Sequence, residues 1–205
     1  MTTVYNRIAG QSVERLAALS DGIFAFAMTL LVLDLKVPAM EAVHSERELW
    51  HGLVALSPRI VMYMMSFLTL GIFWVGQQTQ LNHLEHSNVR LSWIHLAFLF
   101  FVTILPFSTA LLAEYTEYRI ALIAYWLNIL FLGAMLYASW GCATRTGAVK
   151  NDIPPDVPAA VCRRITIAQS FYAFGALLSV ISTHWSIAFI VTVQLYYALA
   201  PGLPK

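Results

Sequence analysis

Three residues that could handle ions or hold polar contacts stand inside an otherwise greasy stretch. Arg15, Ser20 and Asp21 occur in RLAALSDGIFAFAMTLLVLDLKVP (residues 15–38), where every side chain from Gly22 to Leu33 except that of Thr29 is apolar or absent. At about 1.5 Å per residue, positions 15–35 make a helix about 30 Å long, matching the hydrocarbon core of a bilayer. An ionised group well inside such a span costs about 2.5 kcal/mol or more, so it faces protein or water rather than lipid. The first span is therefore the element to which function is expected to belong.

Helical spacing divides that span into faces. Gly22, Phe26, Thr29 and Leu33 fall on one narrow stripe, which Arg15 extends toward the N-terminus. Asp21 lies about 100° away with Ala25, Met28 and Val32, pointing sideways toward a neighbouring helix. One face could line a path while the adjacent face is anchored by a carboxylate. Phe26, Leu30 and Leu33 are suited to apolar constrictions that gate by dewetting. On residue type alone, a lipid-facing or core position is the commoner role for such side chains. Thr29 could offer hydroxyls to a partly dehydrated cation, or bond back to the carbonyl of Ala25.

Arg15 and Asp21 are six apart, a poor spacing for an intrahelical pair. Each is expected to bond to other helices and hold the first span in position, with Ser20, Trp74 and His95 as partners. The alternative role for Asp21 is to attract or relay cations. For His95 in the third span, satisfied packing is favoured over proton relay. His83 and His86 lack partners at ligand spacing beyond Glu85, so no metal site is expected, and no cofactor. The chain carries no nucleophile elbow, Walker loop or zincin string, which argues against an enzyme.

The elements that must position these residues follow from composition. The 205 residues are 59% hydrophobic and 11% charged, with mean hydropathy +0.68. Soluble domains run near 25% charged, so this composition indicates an integral membrane protein surrounded by lipid. A net charge of +1 argues against a nucleic-acid partner. Cys142 and Cys162 read as free thiols of a reducing compartment. Residues 1–12 contain no apolar core, so no cleavable signal peptide is expected there.

Six spans are expected, forming one all-α domain over residues 1–205. After the first, residues 39–56 read as a charged aqueous connection. The second runs from about Arg59 to Gly76, with Trp74 at an interface and the glutamines and histidines that follow at its mouth. The third covers about Leu91 to Ala113, where Pro106 predicts a kink and a freed carbonyl that Ser108, Thr109 or a neighbouring helix could satisfy. The fourth runs from about Arg119 to Ala143, interrupted by Asn128. GAVKNDIPPDVP then reads as a loop. The fifth and sixth run from about Ala160 to Ile181 and Ser186 to Leu199, the latter closed by Pro201.

With six spans, the N-terminus, the 2–3 and 4–5 loops and the C-terminus share a side. Arg7, Arg90, Arg145, Lys150, Arg163, Arg164 and Lys205 lie there; the other side has Lys36, Arg47, Arg59 and Arg119, offset by glutamates. The positive-inside rule then puts both termini in the cytoplasm. No internal repeat is visible, and one helix cannot enclose a water path, so several copies around an axis are expected to do so.

At Arg15, Ser20 and Asp21 the sequence resembles the RxxxFSD signature of the transmembrane protein 175 family of potassium channels, with Leu19 in place of the phenylalanine. The resemblance continues through DGIFAFAMTLLVLDLKVP and returns at FLTLGIFW (Phe67 to Trp74) and WIHLAFLFFVTILPFSTALLAEY (Trp93 to Tyr115). It implies a homotetramer in a bacterial inner membrane, with four first spans lining a pore that has no TVGYG filter. The implied pore positions are Phe26, Thr29 and Leu33, with Leu30 close by. Phe26 stands where isoleucine or leucine is usual. The family tends to have histidine after the second-span Trp, where this chain has Gln77 and Gln78, and asparagine near His95.

Taken together, these readings predict a passive, modestly selective potassium channel, with monovalent cations as the permeant species and no partner besides its own copies and lipid. The alternatives are a small proton-linked transporter or proton pathway using Asp21, and a non-conducting scaffold.

Overall fold

In the computed structural model, which describes residues 12–39 and 43–199, all the regular structure is helical apart from one isolated β-bridge. The elements are α1 (Val13–Leu31), a 3-10 turn (Val32–Asp34), α2 (Glu46–Ala55), α3 (Ser57–Asn82), α4 (Val89–Glu114), α5 (Arg119–Arg145), α6 (Val157–Leu177), a second 3-10 turn (Leu178–Val180) and α7 (Thr183–Leu199). Arg7, Glu41, Pro201 and Lys205 lie outside the described residues.

Short polar side chains start several of these helices by accepting from otherwise orphaned N–H groups. Ser12 accepts from the Arg15 N–H, Ser45 from Glu48 and Asn88 from Leu91, the last at 2.9 Å. Among the described residues, the first span (Val13–Asp34), α3, α4 and α5 are long and apolar enough to cross a membrane. The protein is thus an integral membrane protein. α6 carries Arg163, Arg164 and Gln169, and α7 has 17 residues, fewer than the ~20 a span ordinarily needs.

α4 lies at the centre, packed against both α1 and α5; α3 contacts α1, α4 and α7, and α6 covers α5. The core is a continuous apolar cluster including Phe24, Leu31, Met65, Phe98, Leu105 and Leu122. At one end of the bundle, Val13 and Ala17 pack against Leu81, Leu84, Leu91, Ala143 and Ala148. There the α3–α4 and α5–α6 loops pair, Glu85 N–H donating to the Ala148 carbonyl at 2.9 Å and Lys150 N–H to His83 at 3.0 Å. The start of α1 and these two loops therefore share an end. At the other end, Arg59 pairs with Glu114 and lies 3.8 Å from Asp34.

Three local expectations need correction. The connection read as residues 39–56 contains a ten-residue helix, α2, nucleated by the Ser45 cap and Glu48, whose carboxylate accepts the His44 N–H at 2.7 Å. The second span does not end at Gly76: α3 continues to Asn82, because Gln77 and Gln80 find polar partners inside the protomer and are buried rather than set at an aqueous mouth. The first α-helix closes at Leu31, and the chain tightens into a 3-10 turn over Val32–Asp34.

α4 runs through Pro106 as one element. Proline removes an N–H and crowds the preceding turn, and α5 compensates from across the interface. One orientation of the Asn128 carboxamide pairs its atoms with α4: the NH2 donates to the Phe101 carbonyl at 3.1 Å, and the oxygen accepts from the Leu105 N–H at 3.1 Å and the Ser108 hydroxyl at 3.3 Å.

Candidate pore-lining helix and its anchors

α1 has two opposed faces. Ser20, Phe24, Ala27 and Leu31 are buried against the rest of the protomer. At 100° per residue their mean direction lies about 160° from the stripe of Arg15, Gly22, Phe26, Thr29 and Leu33. That second stripe is uncovered: Phe26 is 74% and Leu33 69% exposed, with Leu30 at 47%. A Cβ built on Gly22 would meet no atom within 4 Å. The Thr29 hydroxyl donates to the Phe26 carbonyl at 2.9 Å, one residue short of the Ala25 carbonyl named as its alternative acceptor. With its hydrogen turned to the backbone, the oxygen retains acceptor capacity.

Two polar residues of α1, Ser20 and Asp21, bond to α3 and α4. Asp21 Oδ1 accepts the Trp74 indole N–H at 2.8 Å and the Gln78 carboxamide N–H at 2.7 Å. Trp74 and Gln78 are four apart, one turn above the other on α3, which is why a single carboxylate oxygen reaches both.

Ser20 belongs to a buried triangle with Gln77 of α3 and His95 of α4. Gln77 Nε2 is 2.7 Å from both Ser20 Oγ and His95 Nε2, and Ser20 Oγ is 2.8 Å from His95 Nε2. The Ser20 hydroxyl also lies 2.7 Å from the Leu16 carbonyl. With both Gln77 hydrogens donated, His95 Nε2 acts as an acceptor. The triangle joins three helices through groups that are each less than 3% exposed.

The structure thus brings Ser20 to His95 and Asp21 to Trp74, but in two separate contacts. Arg15 is exposed and joins neither; the described contact at its position is the Ser12 cap to its backbone N–H. Sequence reasoning did not single out Gln77 as a buried anchor, nor Arg59 as the partner of Asp34 at the far end of α1. Gln77 had one usable signal, since it lies three residues after Trp74 on the same helix. Among the described residues, no group of three or more His, Cys, Asp or Glu is placed to hold a metal.

The sequence model described as "Endosomal/lysosomal potassium channel TMEM175" matches residues 15–106, a range that contains every residue of the two contacts and the uncovered stripe. A potassium channel of Streptomyces collinus is 34% identical over 189 residues, covering 89% of this chain and 90% of that one. This chain belongs to the TMEM175 family. The crystal structure of a lysosomal potassium-selective channel TMEM175 homolog from Chamaesiphon minutus superposes with a TM-score of 0.79 at 27% identity, covering 93% of this chain and 98% of that one. The endosomal/lysosomal proton channel TMEM175 of Gallus gallus is 31% identical over 111 residues, 52% of this chain and 22% of that protein. The Streptomyces and Chamaesiphon matches cover most of this chain, well beyond the segment that the TMEM175 sequence model covers.

Proposed function

We propose that this TMEM175 member is a potassium channel in which four copies of one six-span domain, residues 1–205, surround a pore lined by α1. The observation that carries the reading is the uncovered stripe of α1. Phe26, Thr29 and Leu33 share the side of the helix that no other described element of the protomer covers, while the opposite side is buried. The sequence relatives named as potassium channels support potassium as the permeant ion.

Phe26, Leu30 and Leu33 narrow the path with side chains that hold little water, and Thr29 places an oxygen ring between two apolar constrictions. A cation crossing there loses part of its hydration, and selectivity stems from that cost. Without a carbonyl cage it is modest. Ser20 and Asp21, through His95, Gln77 and Trp74, fix α1 against α3 and α4, so that the four stripes keep their register. The channel sits in a bacterial inner membrane with both termini cytoplasmic, following the excess of basic residues at the end where α1 starts.

Asp21 as a proton carrier is the weaker reading, because its Oδ1 is already engaged by two donors of α3, Trp74 and Gln78, in a contact that positions the helix. Potassium-driven flux from proteoliposomes tests the channel. Wild type should show flux that Leu33→Ala increases; absence of flux from a protein of tetrameric size would overturn the reading.

A further inference from the structure

A second polar feature lies away from α1, on the outer side of α3. A cavity of about 120 Å³ opens between α3, α5 and α6, walled by Phe73, Gly76, Leu136, Ile165, Ala168 and Tyr172. It is comparable with the roughly 150 Å³ apolar cavity known to take up benzene. A groove continues from it along α3 past Gly71 to Phe67, sharing Ile72, Val75, Arg164 and Tyr197 with the cavity. From Thr79 to Phe67 the run is twelve residues, about 18 Å of helix, close to the length of an extended acyl chain.

The chemistry of the walls is lopsided. Among the described residues no acidic side chain lines cavity or groove, and the one lining cation is Arg164, whose guanidinium lies 5.9 Å from the centre of the Tyr197 ring. Among the described residues Arg164 has no carboxylate within salt-bridge distance. It stands seven residues into α6, about 10 Å of helix from the end of the bundle where the two loops pair. One polar atom at the cavity, Gln169 Oε1, is buried without a hydrogen-bond partner among the described residues, whereas the hydroxyl of Tyr172 is close to the Gln194 carboxamide.

We infer that this groove binds an anionic phospholipid of the leaflet at that end, its phosphate on Arg164, one acyl chain along α3 and its glycerol–ester region near Gln169. Cations between membrane helices recognise lipid phosphate in this way. The lipid fills the space between α3 and α6 and couples the outer helices to the helix that carries Trp74.

The full-length protein in neutral detergent tests this by thermal unfolding during titration with phosphatidylglycerol, phosphatidylcholine or inorganic phosphate. Phosphatidylglycerol should raise the unfolding midpoint by several degrees more than phosphatidylcholine, and inorganic phosphate should leave it unmoved. Arg164→Gln should reduce the phosphatidylglycerol response to that of phosphatidylcholine, with Arg164→Lys retaining most of it. Gly71→Ile, where a new side chain meets no atom of the described residues within 4 Å of its Cβ, should lose the response to both lipids at an unchanged elution volume. The inference fails if wild type shows no preference for phosphatidylglycerol, if Arg164→Gln keeps it, or if inorganic phosphate reproduces it. It also fails if Gly71→Ile alters the assembly size, which would place another protomer in the groove.

Discussion

Trp74 donates its indole N–H to Asp21 at 2.8 Å and so joins α3 to the acidic position of α1. Because the stripe of Phe26, Thr29 and Leu33 is carried by the same helix, a contact away from any pore sets its rotation. Gln78 adds a second donor to the same oxygen. The pair therefore belongs to positioning, and it should behave differently from residues on the uncovered face.

Trp74→Phe keeps the ring and removes the N–H. It should lower unfolding stability by about 1 kcal/mol, the usual worth of one such bond, with the Gln78 contact left in place. Asp21→Asn retains an acceptor oxygen and should conduct while assembling less tightly, whereas Asp21→Ala loses both donors and should assemble least. Size-exclusion chromatography paired with liposome flux separates these outcomes. Loss of flux in a fully assembled Asp21→Asn protein would instead favour proton carriage.

Ser20 and Thr29 are nine residues apart on one helix and offer an internal contrast. Ser20→Ala removes an atom shared by Gln77 and His95 in a buried triangle, and should destabilise the fold by about 1–3 kcal/mol. Thr29→Val is nearly isosteric at an exposed position and should leave the melting temperature almost unchanged. Its effect should appear in potassium over sodium preference, measured by reversal potential. Equal destabilisation by the two changes would mean that Thr29 belongs to a packed interface.

How much of this was legible beforehand differs by residue. The division of α1 into faces could be read directly, since the 3.6-residue period alone sets Phe26, Thr29 and Leu33 apart from Asp21. The extension of α3 could not. Gln77 and Gln80 are polar and follow a tryptophan, which reads as a span leaving the membrane; only the partners supplied by Ser20, His95 and the Leu136 carbonyl make their burial favourable. α2 was hidden for a related reason, because its charged residues marked solvent correctly while its Ser45 cap went unweighed. Leu33 lies in a 3-10 turn, so spacing that holds through Leu31 only approximates its direction.

Leu33→Ala should raise potassium flux and erode discrimination against sodium, since four shortened side chains widen an apolar constriction and ease its wetting. A barrier lower by about 1.4 kcal/mol corresponds to a tenfold faster flux. Phe24→Ala, on the opposite face, serves as the control: it opens a cavity in the core and should cost about 3–5 kcal/mol of stability. Concentration-dependent fluorescence quenching in potassium-loaded liposomes measures the first, and thermal unfolding the second. A Leu33→Ala protein with wild-type flux would remove this side chain from the conduction path.

The Asn128 bridge to α4 should depend on Pro106. Proline denies the Val102 carbonyl its helical donor, and Asn128 reaches across from α5 to the adjacent Phe101 carbonyl and Leu105 N–H. Asn128→Leu matches the volume but withdraws both partners, which should cost about 1–3 kcal/mol for each group left dry. Pro106→Ala restores the missing N–H and lets the turn close on itself, so the bridge is needed less. In the double variant the penalty of Asn128→Leu should shrink by about 0.5–3 kcal/mol, the range of coupling seen between residues of one network. Thermal unfolding of the four proteins gives the cycle directly. Strict additivity would show that Asn128 stabilises the α4–α5 interface without reference to the proline.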